Sequence, residues 1–487
     1  MIDRLEDSPL YRIAYPRSVA FFGASNNFSR MGSIMLSSVQ SLGFEGTLYP
    51  IHPSETMVRG LRAYPDVQKL PEVPDLAIIV LPTEIVCQTL EDCGKKGIKH
   101  AIVVSGGFRE IGEEGVKRQR ELISIVKKYG MRILGPNCLG VANPHHRFNP
   151  TPIEAEGAPG FVGLASQSGS FITQMFNYLY RHGMGFSTAF SVGNEADLDV
   201  VDCLEYLGAC PHTKVITLYL EGIRRGREFM EMAKQIIPKK PIVALYVGGS
   251  EAGKKAGLSH TGALSGPDEI YDGLFKQCGI IRARTLVELF DFALALGTLP
   301  PPRGRRVAIQ THSGGPGATA ADACGRNGLV LPDLTPETLE KLRPYLPHTA
   351  STSNPVDLTF SRNNEDHFSN IPRILLEDNR IDMLLVYFLS PVVFIRRFLR
   401  EMGVPEGRME GLEKEMTEKL TGMFLDLKNH GKPILGYTFR SLEEPMTRDL
   451  LFHGIPVYAD AERAAKAMAA LLEYHRMKSE LHARHVE

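Results

Sequence analysis

One histidine, His260, stands in a stretch rich in glycine, alanine and serine that follows a strand-like run. The stretch covers residues 248–266 and contains no other histidine. A neutral imidazole is a good nucleophile, and the N–P bond that it forms with a phosphoryl group is labile, so the ring can take up that group and release it again. A segment of small residues suits a carrier that visits two sites. The pattern indicates a phosphohistidine relay, with a surface histidine in an ordinary loop as the alternative.

An acidic residue, Glu221, directly follows the strand-like run 216–220. A carboxylate at that sheet edge can accept the other ring N–H of a histidine, which selects its tautomer and supports the cation-like phosphohistidine. A glutamate that merely begins a helix is the alternative interpretation.

The first strand-like run leads into a glycine-containing turn and then a helix, the arrangement that presents free N–H groups and a positive dipole end to a phosphate. The turn lacks the complete G-x-G-x-x-G spacing, and His52 and Pro53 stand where an acidic residue would hold the ribose of NAD. A nucleotide-like ligand other than NAD is therefore favoured, and a tight turn without a ligand is the alternative. The candidate contacts are Gly23, Ser25, Arg30, Gly32, His52 and Pro53.

Three further strand-like runs end in residues that turn sharply. In an open parallel sheet these carboxyl ends border the ligand crevice. Each segment alone is typical of an ordinary loop. The inference of a ligand site depends on their recurrence at one edge of the sheet. The candidates at these ends are Val80, Pro82, Ser105, Gly106 and Asn137.

A later strand-to-helix turn, residues 165–170, contains Ser168 and Gly169. Small hydroxyl residues at a helix N-terminus suit anion capture, and a plain serine N-cap is the alternative. The turn lacks the G-x-S-x-G elbow of a hydrolase, which argues against a serine triad.

The composition is that of a globular protein. The chain has 487 residues, a net charge of -1, 43% hydrophobic and 23% charged residues, so nucleic acid is not expected as the principal partner. Seven cysteines without a C-x-x-C pair predict reduced thiols in the cytoplasm rather than disulfides or zinc. The acidic N-terminus and the absence of a long apolar run predict neither export nor a membrane span.

Strand-like runs alternate with amphipathic stretches, which predicts an α/β fold with parallel sheets. Proline- and glycine-bearing segments suggest boundaries and divide the chain into domains at residues 1–150, 151–299 and 300–487. The first of these is Rossmann-like. The runs are 18–22, 46–49, 76–81, 100–104, 131–134, 161–165, 186–192, 215–220, 242–247, 307–310, 383–388 and 433–437.

Taken together, these segments resemble the α subunit, or α-like portion, of the nucleoside-diphosphate-forming acyl-CoA synthetases, relatives of succinyl-CoA synthetase. The matching pieces are collinear over nearly the whole chain, and Ser-His-Thr-Gly after Glu-Gly, then a proline-rich linker and Ser-Gly-Gly-Pro-Gly, form a specific combination. They are residues 23–25, 49–53, 105–108, 135–138, 166–169, 191–194, 221–222, 259–262, 313–317 and 354–357.

The resemblance implies a Rossmann-like CoA-binding domain followed by two flavodoxin-like succinyl-CoA-ligase domains. It implies the reaction acyl-CoA + phosphate + ADP ⇌ acid + CoA + ATP, in which phosphate forms an acyl phosphate near Asn137, Ser168 and Gly169. His260, held by Glu221, would then carry the phosphoryl group to a nucleotide site. CoA would bind at the candidate contacts of the first domain.

Two positions depart from the family pattern, because His52 and His312 stand where the family usually has asparagine. The sequence also contains no recognisable ATP-grasp module or metal-binding carboxylates for a nucleotide. The family often has that module on a separate β chain, so we expect an ATP-grasp β subunit, in a heterodimer or heterotetramer, to bind ADP or ATP and magnesium. The acyl group is not readable from the sequence.

Two other functions are alternatives to this one. A catalytically silent regulatory protein that binds CoA or acyl-CoA would be marked by loss of His260 or Glu221, and both are present. An NAD-dependent dehydrogenase predicts an acidic residue after the second strand, where His52 and Pro53 stand instead.

Overall fold

The computed structural model describes residues 2–153, 159–253, 266–351, 353–359, 363–389 and 391–486. The chain forms two compact units, one made of residues 1–180 and 184–289 and the other of residues 181–183 and 290–487. The first unit contains two large sheets and a small hairpin, and the second contains one sheet.

The first sheet of the first unit is parallel throughout, with the strand order β2-β1-β5-β6-β7. Its central strand, β5, is buried along its whole length, because helices cover both faces of such a sheet. The strands of this part are β1 (Ser18–Phe22), β2 (Thr47–Ile51), the hairpin β3 (Met57–Val58) and β4 (Leu61–Arg62), β5 (Leu76–Ile79), β6 (His100–Val103) and β7 (Arg132–Leu134).

Four helices accompany this sheet, and two of them end at a glycine. Gly97 and Gly130 adopt left-handed conformations that terminate the two longest helices. The helices are Tyr11–Ala14, Met31–Ser41, Thr83–Lys96 and Glu113–Tyr129, with short 3₁₀ turns at Leu5–Asp7, Val67–Lys69, Arg109–Ile111 and Pro144–His146.

The second sheet has the order β13-β12-β11-β9-β10-β8, and only the pairing of β8 with β10 is antiparallel. Asp199 begins one of its helices with a reciprocal capping box, because its carboxylate accepts backbone N–H groups of the first turn. The strands are β8 (Gly140–Ala142), β9 (Val162–Ser166), β10 (Phe186–Ser191), β11 (Val215–Leu220), β12 (Ile242–Tyr246) and β13 (Ile281–Ala283), and the helices are Gly169–Arg181, Val200–Ala209, Gly226–Ile236, Asp268–Cys278 and Leu286–Thr298.

The second unit is built on a parallel sheet with the order β15-β14-β16-β17-β18. The strands are β14 (Val307–Thr311), β15 (Val356–Asp357), β16 (Met383–Tyr387), β17 (Ile434–Tyr437) and β18 (Val457–Tyr458). The helices are Gly314–Arg326, Pro336–Leu342, Asn364–Phe368, Asn370–Glu377, Pro391–Glu401, Glu406–Leu425, Pro445–Phe452 and Ala461–Val486, with 3₁₀ turns at Arg343–Tyr345 and Asp426–His430.

The predicted α/β class with parallel sheets is confirmed. The three domain boundaries stay a prediction, and the structure adds that the chain enters the second sheet at β8, before residue 150. None of the described helices combines the length and hydropathy needed to cross a bilayer.

Candidate active site

The carboxyl ends of β1 and β5 approach each other so closely that only glycine fits between them. Gly23 has φ +93°, and a Cβ built on it would lie 1.9 Å from the carbonyl oxygen of Val80. A Cβ on Gly32, in the helix that follows, would lie 2.4 Å from the carbonyl oxygen of Gly23. The two glycines therefore pack the turn against protein backbone, which shapes the edge where the sequence predicts a ligand.

The remaining candidates beside this turn differ in exposure. Ser25 is buried, and its backbone N–H donates to Oγ of Ser33 at 3.0 Å. Arg30 is exposed at the start of the helix Met31–Ser41 and makes no capping hydrogen bond with its side chain. His52 is half-buried, and its Nδ1 accepts the backbone N–H of Glu55 at 3.0 Å.

Two neighbouring strand ends are tied together by side-chain hydroxyls. Oγ of Ser105 donates to the carbonyl of Leu81 at 2.6 Å and accepts its N–H at 3.2 Å. Pro82 stands at the N-terminal end of the helix Thr83–Lys96, and Oγ1 of Thr83 donates to the carbonyl of Gly106 at 2.7 Å. The loops that carry these predicted contacts are thus held at one edge of the sheet.

Asn137 links the two sheets of the first unit. It has φ +57°, and its N–H donates to the carbonyl of Ser105 at 2.9 Å. Its Nδ2 donates to Oδ1 of Asn194 at 3.4 Å, and Nδ2 of Asn194 donates to Glu110 at 2.5 Å. Glu110 in turn accepts the N–H groups of Gly107 and Phe108 at 2.5 and 3.1 Å, and these donors hold the pKa of its carboxyl below the usual range against the effect of burial.

Ser168 and Gly169 lie at the other side of this junction. Oγ of Ser166 donates to the carbonyl of Ser168 at 2.7 Å, and Gly169 opens the helix Gly169–Arg181. A Cβ on Gly169 would lie 3.2 Å from the side chain of Leu139, two residues after Asn137. The structure therefore brings the predicted residues Asn137, Ser168 and Gly169 to one place.

Gln167 positions Glu221, a role that the sequence analysis missed. Its Oε1 accepts the N–H groups of Glu221 and Gly222 at 2.5 and 3.1 Å, while its Nε2 donates to the carbonyl of Gly222 at 2.7 Å. The side chain is only 8% exposed. The sequence feature that could have indicated this role is a glutamine between two serines at the end of a strand-like run.

Glu195 is a second residue that the sequence analysis missed. It is 4% exposed with φ +50°, and Oε1 accepts the N–H of Val200 at 3.0 Å. Arg224 donates to its carbonyl at 2.6 Å and lies 3.8 Å from its carboxylate. Burial raises the pKa of Glu195 to about 7, so this carboxyl titrates near neutrality inside the junction.

His260 lies outside the described residues. The described part of the chain contains no group of three or more His, Cys, Asp or Glu side chains arranged to hold a metal ion.

In the second unit, the ring of His312 stacks on that of His367 with centroids 3.7 Å apart, just before the helix Gly314–Arg326. Nε2 of Gln310 donates to Nδ1 of His367 at 3.0 Å. Burial lowers the pKa of His312 to about 4, so this histidine is neutral near pH 7.

Three family descriptions match the chain in order: a CoA binding domain at residues 17–144, a succinyl-CoA ligase like flavodoxin domain at residues 159–296 and a ligase-CoA domain at residues 307–439. The α subunit of an ADP-forming acetate–CoA ligase II from Pyrococcus furiosus is 39% identical over 460 residues, which cover 94% of this chain and 96% of that subunit.

An ADP-forming 4-hydroxybutyrate–CoA ligase from Nitrosopumilus maritimus is 35% identical over 96% of this chain, which spans 64% of that relative's length. Among solved structures, the acetyl-coenzyme A synthetase 1 of Ca. Korarchaeum cryptofilum in complex with phosphate and ADP superposes with a TM-score of 0.85 and 33% identity, covering 98% of both chains.

These matches confirm the predicted family and the predicted order of folds, and none of them favours the regulatory alternative. Because one relative is 39% identical over 94% of the chain, the family assignment does not depend on any single motif. The chain belongs to the ADP-forming acyl-CoA synthetases, a group of acid–thiol ligases, and corresponds to their α subunit.

Proposed function

We propose that this chain catalyses the acyl-transfer and phosphohistidine half of the synthetase reaction at the junction of its first two sheets. The observation that carries this proposal is the convergence of Asn137, Ser168 and Gly169, which come from different sheets and meet through Leu139 and Asn194. Polar side chains beside a helix N-terminus suit a phosphate and a developing oxyanion.

In the first step, a phosphate oxygen attacks the thioester carbonyl carbon, the C–S bond breaks and CoA leaves as its thiolate, which takes up a proton. The free N–H groups at the start of the helix Gly169–Arg181 and Nδ2 of Asn137 offer hydrogen bonds to the charge that develops on oxygen. The product is an acyl phosphate, and no external oxidant or reductant is required.

In the second step, a ring nitrogen of His260 attacks phosphorus, the P–O bond to the acyl group breaks and the carboxylate leaves. Glu221 accepts the other ring N–H and balances the positive charge of the phosphohistidine. The three hydrogen bonds that Gln167 makes to the backbone of residues 221–222 support this role, because they hold the carboxylate at the strand end beside Ser168.

The chain uses CoA, and we propose that CoA lies along the strand ends that carry Gly23, Ser25, His52, Val80 and Ser105. The parallel pairing of β2, β1, β5 and β6 supports this site, since it gathers these loops at one edge. Arg30 is exposed beside the same edge and suits a phosphate of CoA. Gly32, Pro53, Pro82 and Gly106 complete the proposed set.

We also propose an ATP-grasp β subunit that binds ADP and magnesium and accepts the phosphoryl group from His260. The Pyrococcus relative is named as a subunit, and this chain spans only 64% of the longer Nitrosopumilus relative. Both facts support a nucleotide-binding module on a partner subunit. We propose that the two subunits form a heterodimer or heterotetramer. A cytoplasmic location fits the seven cysteines, which are all buried and form no disulfide.

The substrate is proposed to be a small carboxylic acid. The relatives named above act on acetate and 4-hydroxybutyrate, so the acyl class requires measurement. The purified chain would be incubated with labelled phosphate and a panel of acyl-CoA thioesters, and acid-labile, base-stable protein phosphate would be counted.

We expect label with particular acyl-CoAs only, and none in His260→Ala. Glu221→Gln should slow labelling without changing the amount of folded protein. The matched control His348→Ala removes an exposed histidine and should label like the wild type. Comparable labelling of His260→Ala would refute the relay. If the wild type shows no label, even with an ATP-grasp subunit added, the proposed half-reaction is wrong.

A further inference from the structure

Arg109 carries a guanidinium whose Nε is buried and has no hydrogen-bond partner in the described part of the chain. The residue begins the 3₁₀ turn Arg109–Ile111, directly after the loop at the carboxyl end of β6. Its backbone groups are satisfied, since its N–H donates to Oε1 of Gln119 at 3.4 Å and its carbonyl accepts the N–H of Gly112 at 3.2 Å. A buried donor without a partner costs free energy, so its retention calls for an explanation.

Three carboxylates influence this guanidinium electrostatically. Burial lowers the pKa of Arg109, and the charges of Glu195, Glu110 and Glu221 act in the opposite direction. Glu110 is engaged by the N–H groups of residues 107 and 108 and by Asn194. Glu195 is engaged by Val200 and approached by Arg224. Two of the three acids are thus engaged by other groups, while Nε of the cationic Arg109 makes no hydrogen bond in the described part of the chain.

Arg109 is linked to the proposed site through its neighbours. Its neighbour in sequence, Glu110, is joined through Asn194 to Asn137, and Glu221 lies within electrostatic reach of Arg109 itself. Glu195 is only partly ionised near neutrality, because burial favours its protonated form. A small anion can therefore approach the guanidinium without facing three full negative charges.

We propose that Arg109 binds the inorganic phosphate that attacks the thioester, a role that rests on the function proposed above. A guanidinium offers two parallel N–H donors that match two oxygens of one phosphate, so the planar fork both binds and orients the nucleophile. After acyl transfer the same donors hold the phosphoryl oxygens while His260 attacks phosphorus. The phosphates of CoA are the other source of this chemistry, and the experiment separates the two.

The test compares wild type, Arg109→Gln and Arg109→Lys in the phosphate-labelling assay. The matched control is Arg120→Gln, which removes an exposed guanidinium from the helix Glu113–Tyr129. We expect Arg109→Gln to raise the phosphate concentration for half-maximal labelling by about tenfold to a hundredfold, the range for a charge-assisted pair. The half-saturating acyl-CoA concentration should stay within about twofold, and Arg109→Lys should be intermediate, since it keeps the charge and loses the fork.

A second readout does not depend on turnover. Inorganic phosphate should raise the melting temperature of the wild type and of Arg120→Gln, and should leave that of Arg109→Gln unchanged. The melting temperature of each variant in phosphate-free buffer is the baseline from which its response to phosphate is measured.

Three results would overturn the proposal for Arg109. One is unchanged phosphate dependence in Arg109→Gln, and another is a rise confined to the half-saturating acyl-CoA concentration, which would assign the residue to a phosphate of CoA. The third is equal or absent phosphate stabilisation in wild type and variant. A wild type that binds phosphate through Arg109 but is never labelled would instead refute the proposed half-reaction and leave the phosphate contact standing.

Discussion

Replacement of Glu195 by glutamine should make the first unit less sensitive to alkaline pH. The carboxyl has a pKa of about 7 in the folded protein, chiefly because burial disfavours its charged form and because Asp199 adds like charge, against an ordinary value of 4.5. At about 1.4 kcal/mol for each tenfold difference in proton affinity, this corresponds to about 3 kcal/mol.

The sign follows from the proton balance. Between pH 4.5 and 7 the folded chain holds a proton on Glu195 that the unfolded chain has lost, so stability falls as pH rises. This contribution is fully present below pH 4.5 and is lost as the pH rises through about 7. Glutamine keeps an oxygen for the N–H of Val200 and cannot ionise. The stability of Glu195→Gln relative to wild type should therefore increase by about 2.5 kcal/mol between pH 5 and 8.5.

The assay is urea unfolding followed by circular dichroism at a series of pH values, since the chain contains no tryptophan to report by fluorescence. Glu110→Gln is the matched control, because the pKa of Glu110 is lowered and both states are ionised above about pH 5.5. Its difference from wild type should be flat from pH 5.5 to 8.5. A flat difference for Glu195→Gln, or one that shrinks as the pH rises, would refute the reasoning.

Two further predictions concern the strand ends. Gln167→Leu should destabilise the first unit by about 1–3 kcal/mol in urea unfolding, because the backbone of residues 221–222 loses its hydrogen bonds to this side chain. It should also slow the labelling of His260 more than it changes the half-saturating acyl-CoA concentration. An equal effect on the labelling rate and on that concentration would contradict a positioning role. Gly23→Ala should cost at least about 3 kcal/mol, since its Cβ would lie 1.9 Å from a carbonyl oxygen. Gly60 also has a positive φ, but open space surrounds it, so Gly60→Ala should lower the free energy of unfolding by only about 1 kcal/mol. Equal losses in the two variants would show that the contact with Val80 does not determine the cost of Gly23→Ala.

The strands show how much of the fold the local sequence pattern predicts. The predicted limits of β1 and β11, 18–22 and 215–220, are those observed, because a strand buried on both faces of a parallel sheet is a continuous apolar run between breaking residues. The three-residue strand β8 was not predicted. Its antiparallel pairing with β10 depends on a partner about 50 residues away, and three residues carry no measurable period.

The sequence by itself determined the alternation of strands and helices, the family and the strand ends at which Asn137, Ser168 and Gly169 stand, since each depends on residues that are close together along the chain. Only the tertiary structure decided the meeting of Glu195 with Arg224 and of Gln167 with the backbone of Glu221. These partners come from different strand ends, and the burial that shifts the pKa of Glu195 and isolates Arg109 is a property of the packed junction rather than of any local segment.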